Sequence, residues 1–275
     1  METYDWAAMV DDLNRYLRLR SIPIGMKLFE TVEEMEAIPK IRRPRGQTVR
    51  SLTMRSRFVL VVLLLMVVTA AWAQTQVVED WSSQPVGSKG VPNGWKAQNW
   101  GSPKYDFTIV NDDGRKALQM KSAGDGSTIS KDIKGKIDLK QTPVLEWSWK
   151  VTTLPKGGDA CKKDTDDEAA QVYVAWPRFP EHVRSRIIGY IWDTSEPVGK
   201  ICKSEKAGTV TYVVVRSGAA ELGKWLTERR NVADDFKKIY PDDPDSPAVV
   251  SIAIDSNDTN STAEAFIGPI LFKKP

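Results

Sequence analysis

Few side chains of this sequence are suited to acid–base or metal chemistry. Its 275 residues include one histidine, His182, and two cysteines, Cys161 and Cys202. A multi-histidine zinc site is therefore excluded, and a histidine-dependent triad would have a single candidate base. Two cysteines are also too few for a four-cysteine metal site. Carboxylates gather in two places: Asp159, Asp164, Asp166, Asp167 and Glu168 form one acidic segment, and Asp255, Asn257, Asp258 and Asn260 a second. Oxygen donors of this type suit Ca²⁺, a hard cation. Asp166, Asp167, Asp255 and Asp258 are the candidate ligands of a structural calcium ion, with solvated loops and side-chain-capped turns as the plain alternative. Neither segment has the glycine-containing EF-hand spacing, and no other cofactor is expected.

The aromatic residues suggest a different chemistry. Eight of the ten tryptophans follow residue 73, and a flat indole face complements the C–H face of a pyranose. In 145–150 (LEWSWK) large apolar residues alternate with polar ones, so Leu145, Trp147 and Trp149 share one strand face. A core role is favoured there over a sugar platform, given the bulk that aromatics bury. Trp95, Trp100, Trp192 and Trp225 sit closer to expected loops and are the candidate ligand-binding tryptophans. Arg230 joins them as a clamp for an anionic group, unless it pairs with Asp235 to fix a helix to the sheet. His182 with Arg178, Arg184 and Tyr190 has the makings of a lyase centre; a surface histidine beside Pro180 and Glu181 is the commoner explanation. No strand carries the alternating acidic triplet of sandwich-type glycosidases, so no catalytic residue is assigned.

The elements that must position these residues are mostly strands. Phe107–Val110, the turn 111–114 (NDDG) and 117–120 read as a hairpin, because Asp-Gly supplies the positive backbone angle that tight turns need. Further strands are expected at 127–133, 144–151, 170–176, 187–192, 209–216, 248–254 and 263–272. Many short strands with Gly-, Pro- and Asp-rich connections indicate an all-β protein, an antiparallel β-sandwich or jelly roll. One helix is expected over Leu226–Tyr240, where Val232, Phe236 and Ile239 have helical spacing and Pro241 follows.

Residues 58–73 carry no charge and follow Met54-Arg55-Ser56-Arg57; Ala71-Trp72-Ala73 precedes Gln74. A basic start, an apolar centre and an Ala-x-Ala end describe a secretory signal peptide over 54–73. As a helix the apolar run would cover about 24 Å, less than the roughly 30 Å hydrocarbon core. Met54 makes a natural start, and residues 1–53 then read as an artefact of the gene model or a remnant of a neighbouring frame. The rival is an uncleaved anchor with the arginine-rich 42–57 stretch kept inside the cell; membrane contact is expected only in that case. Export to the periplasm or beyond favours a disulfide between Cys161 and Cys202. Residues 1–73 hold 11 basic and 8 acidic side chains, leaving 28 of each in 74–275. That balance argues against nucleic acid as a partner.

Within the extension, residues 17–24 (LRLRSIPI), 26–30 (MKLFE) and 38–44 (IPKIRRP) resemble the opening of domain-of-unknown-function family 169. In the exported part, 143–151 (PVLEWSWKV), 166–174 (DDEAAQVYV), 190–192 (YIW), 223–225 (GKW), 230–236 (RNVADDF) and 255–260 (DSNDTN) together resemble domain-of-unknown-function family 3047 over about 79–273. That resemblance implies a jelly-roll sandwich in an exported bacterial protein and no settled activity. The expectation is a single sandwich domain, 74–275, that binds a glycan or another envelope component without catalysis. The alternatives are a polysaccharide-active hydrolase or lyase and an envelope protein–protein interaction module.

Overall fold

The computed structural model describes residues 75–275. The extension 1–53 and the segment 54–73 lie outside the described residues. Among the described residues no helix is long and apolar enough to cross a membrane.

Two sheets face each other. The strands are β1 Thr75–Glu79, β2 Lys96–Ala97, β3 Asp106–Asp112, β4 Arg115–Ala123, β5 Gly126–Asp132, β6 Val144–Thr153, β7 Ala170–Trp176, β8 Arg186–Asp193, β9 Ile201–Lys203, β10 Val210–Ser217, β11 Leu226–Asn231, β12 Val249–Asp255 and β13 Thr262–Lys273. One sheet runs β11-β6-β13-β4-β3, with β1 also on β13; the other runs β2-β5-β12-β7-β8-β10-β9. The chain passes repeatedly from one sheet to the other, as in a jelly roll. The β3–β4 hairpin forms at the expected turn, where Asp113 (φ 51°) and Gly114 (φ 75°) take the two positive backbone angles of a type I′ turn.

Period two decides what lies between the sheets. Leu145, Trp147 and Trp149 do share a face of β6, and all three are buried. Trp147 packs against Tyr190 at 5.3 Å and Trp149 against Trp192 at 6.0 Å, which joins the two sheets through their largest side chains. Truncating one of these indoles to alanine costs about 3–5 kcal/mol.

Two expectations need correction. The sheet is mixed rather than purely antiparallel, because β10 runs parallel to β8. Residues 194–209 carry the chain past β10's place to the outer strand β9, and β10 then inserts between β9 and β8; such crossovers take a dozen or more residues. The helix is also shorter than expected. Residues 226–231 are a strand on β6, and the helix, Val232–Ile239, begins only where Asn231 accepts hydrogen bonds from the Ala233 and Asp234 amides. Glu228 points inward and is held there by Arg216 (2.7 Å) and the Trp149 indole N–H (3.1 Å), so a charged residue occupies an inward strand position.

With α1 naming the short Glu181–Arg184 turn of helix and α2 naming Val232–Ile239, Phe236 of α2 packs on Trp176 at 4.7 Å. Arg230 pairs with Asp235 through two bonds of 2.9 and 2.6 Å, and the Tyr190 hydroxyl donates to the same carboxylate. The disulfide Cys161–Cys202 is formed.

Candidate functional site

Strand alternation places a second set of residues on the solvent side of the seven-stranded sheet. Val250, Ile252 and Ile254 of β12 and Val172, Val174 and Trp176 of β7 enter the core. Ser251 and Asp255, and Gln171 and Tyr173, therefore face outward. The register then aligns Ser130, Ser251, Tyr173, Gly189, Tyr212 and Cys202 as one row across six strands. The Ser130 and Ser251 hydroxyls meet at 2.8 Å. The Tyr173 and Tyr212 rings approach to 6.5 Å over Gly189.

Half of this face is covered and half is open. Residues 154–169, between β6 and β7, fold over β8 and β10. Ala160 packs with Ile191, Val210, Tyr212 and Val214, and its amide donates to Asp193 at 2.9 Å. The disulfide ties this loop to edge strand β9. Over β5, β12 and β7 a strip remains in which Thr128, Ser130, Ser251 and Tyr173 are half-buried. At the β5 border Gln98 donates to the carbonyls of Trp100 (2.9 Å) and Gly126 (3.4 Å) and accepts from the Thr128 amide (2.6 Å). That brings Trp100, 60% exposed, to the edge of the strip.

The strip ends in acids. Asp255 closes β12, and its amide donates to the Glu168 carbonyl at 3.1 Å. Burial, with Asp167 beside it, pushes the Asp255 carboxyl up to about 9. Burial also raises Asp166, and it raises Glu168 well above the ordinary carboxylate range, with Asp166 next in effect. The Tyr173 hydroxyl donates to Gln171, which in turn donates to the Glu168 carbonyl at 3.3 Å.

The structure does not bring the five expected ligand-binding residues together. Trp95 is buried, stacked on Trp81 at 5.8 Å, with its N–H on Glu79 at 2.9 Å. Trp192 is core, its N–H on the Gly218 carbonyl. Both are adjacent to loops in sequence, yet loops and strands close over them, so neither presents a ring face to a ligand. Trp225 lies on the outer side of the other sheet, donating to Asp112 at 2.7 Å with Arg115 and Lys150 near its ring. Arg230 pairs with Asp235 through Nε and Nη2, which ties the end of β11 to α2. Only Trp100 borders the strip.

Among the expected calcium ligands, Asp167 caps the turn after β12, accepting from the Asp258 amide (3.1 Å) and from the amide and hydroxyl of Thr259 (2.6 Å each). Asp258 pairs with Lys206. Asp166 and Asp255 remain, and Glu168, absent from the expected set, stands with them. Tyr190 is buried against Asp235 while His182 is exposed on α1, so they share no lyase centre. Two surface depressions of about 300 and 470 Å³ lie away from the strip. In the smaller, Lys104 pairs with Asp125 and Lys121 with Glu264. Sequence reasoning missed Tyr173, Ser251 and Ser130, which become a site only through cross-strand register.

The family model described as "Protein of unknown function (DUF3047)" matches residues 93–271; it does not bear out the resemblance of the extension to family 169. No curated protein matches the chain. Among solved structures, a family 11 carbohydrate-binding module from Clostridium thermocellum, in complex with a β-1,3-1,4-mixed-linked tetrasaccharide, is 9% identical with TM-score 0.36, covering 73% of this chain and 96% of its own. A family 30 carbohydrate-binding module of a cellulosomal cellulase from Clostridium thermocellum is 11% identical with TM-score 0.38, over 73% and 97%. The K1 cleaved adhesin domain of Lys-gingipain from Porphyromonas gingivalis is 11% identical with TM-score 0.36, over 73% and 98%.

Proposed function

The chain belongs to the DUF3047 family of proteins of unknown function, and for it we propose a non-catalytic binding role in which the open strip on β5, β12 and β7 receives a glycan or envelope saccharide. The observation that carries this reading is the make-up of the strip: Thr128, Ser130 and Ser251 beside the half-buried Tyr173, with Trp100 exposed at the border. The centre of the strip bears no charge. Short hydroxyls exchange hydrogen bonds with sugar hydroxyls, and the aromatic faces meet the apolar C–H faces of the ring. Aromatic anchors with a few fixed polar groups are the usual composition of a small-molecule site.

The cystine suits an oxidising compartment. This supports export by segment 54–73, whether that segment is cleaved or kept as an anchor, and a saccharide met in the periplasm or outside the cell.

The reading is tested by a thermal-shift screen of the full chain against bacterial and plant polysaccharide fragments. A ligand bound to the folded state raises the midpoint. At least one fragment is expected to do so, and Trp100→Ala is expected to weaken it about three- to tenfold, the worth of one aromatic contact. No shift with any fragment would overturn the proposal.

A further inference from the structure

Five buried side-chain nitrogen or oxygen atoms among the described residues lack a hydrogen-bond partner, and three of them, Thr165 Oγ1, Asp166 Oδ1 and Glu168 Oε1, fall within four consecutive residues. Asp166 is 5% exposed and Glu168 1%. A buried acceptor left unpaired is costly, and an unpaired buried charge costs more. We propose that Asp166 and Glu168 hold a hard divalent cation, best matched by Ca²⁺, at the end of the loop that the disulfide pins.

Asp166 and Glu168 lie within reach of each other's charge, on a stretch of backbone that turns tightly at Asp166, where the Asp167 amide donates to the Thr165 carbonyl at 2.8 Å, and bends again at Ala169 before β7. Asp167 is consumed by the Asp258–Thr259 turn. The other charges acting on Glu168 are Asp255 and Asp193, which add negative charge. The cation acting on Asp166 is Lys206, already bound by Asp258. The pair therefore sits in a buried negative region with no basic side chain of its own.

The available donors are all oxygen. Beside the two carboxylates stand the Ser204 hydroxyl, which donates to Asp166 Oδ2 at 3.1 Å, and the Tyr212 hydroxyl. Such a set suits Ca²⁺ and not a metal that prefers sulfur or imidazole. Asp159, Cys161 and Glu196 also approach within 4.8 Å of one another. There, however, the sulfur is locked in the cystine and Lys162 holds Asp159 at 2.6 Å. The inference does not depend on the saccharide reading, since it rests on the unpaired buried oxygens and not on the make-up of the strip.

The test is calorimetric titration of EDTA-treated, dialysed full-length chain with CaCl₂, and with MgCl₂ in parallel, alongside the thermal midpoint. Saturable binding of one Ca²⁺ per chain and a raised midpoint are expected. Glu168→Gln and Asp166→Asn should each weaken binding at least about tenfold, whereas Asp164→Asn, at an exposed acid of the same segment, should leave it unchanged. In EDTA, Glu168→Gln should melt no lower than wild type, because it removes a repelled charge; this separates loss of the site from loss of the fold. Emission of Tb³⁺ sensitised by Tyr173 and Tyr212, and quenched by Ca²⁺, is expected from the wild type. Absence of binding and of Tb³⁺ emission would overturn the proposal, as would binding that survives both variants or is lost equally in Asp164→Asn.

Discussion

Gly189 lacks a side chain, and the two tyrosines that flank it depend on that. A Cβ there would lie 2.7 Å from Tyr173 Cε1 and 3.0 Å from Tyr212 Cδ1, closer than non-bonded carbons come. Gly189→Ala should destabilise the protein by about 1–3 kcal/mol, the usual cost of overpacking, and displace Tyr173 from the strip; urea unfolding measures the first effect. An unchanged midpoint would mean that the rings do not press on this position. On the opposite sheet Asp112 accepts from Lys150 and Trp225, and Lys150 foremost holds its carboxyl below the usual range. A carboxyl with a depressed folded pKa stabilises above its unfolded value and loses that contribution as pH falls. Asp112→Asn should therefore cost about 1–3 kcal/mol at neutral pH, with the difference from wild type fading toward about pH 3. A pH-independent difference would contradict this.

At the scale of elements, Asn231 divides a strand from a helix, and Asn231→Ala should cost about 1 kcal/mol in chemical denaturation. Much of this scale was legible in sequence. The hairpin rested on Asp113-Gly114, and the core face of β6 on the alternation of Leu145, Trp147 and Trp149. Three features were not. Glu228 and Arg230 face inward, so they hid strand β11 from a reading that seeks apolar residues at inward positions; only the helical spacing from Val232 was visible. Parallel β10 has the same period as an antiparallel strand. The acidic segment was plain in composition, but which acids are spent depends on Asp167 meeting a turn 91 residues away. The cystine also belongs to this scale: it closes a separation of 41 residues. Its reduction should cost about 4 kcal/mol in the chain-entropy model and free the loop that carries Asp166 and Glu168. Unfolding with and without reductant measures it, and an unaltered midpoint would show that the loop is held without the disulfide.

Across the whole molecule the two outer faces differ in kind. The six-stranded side carries paired charges, Lys150 with Asp112, Lys273 with Glu146 and Lys121 with Glu264. These leave little to offer a neutral ligand. The seven-stranded side keeps a strip of hydroxyls and aromatic rings with acids only at its end. The most direct test of the central claim compares two single variants by calorimetry, using a saccharide fragment that raises the wild-type midpoint: Tyr173→Ala in the strip and Trp225→Ala on the opposite face. The account predicts that Tyr173→Ala abolishes or severely weakens binding and that Trp225→Ala leaves it intact. Binding that survives Tyr173→Ala and is lost in Trp225→Ala would place the saccharide on the other sheet and contradict it.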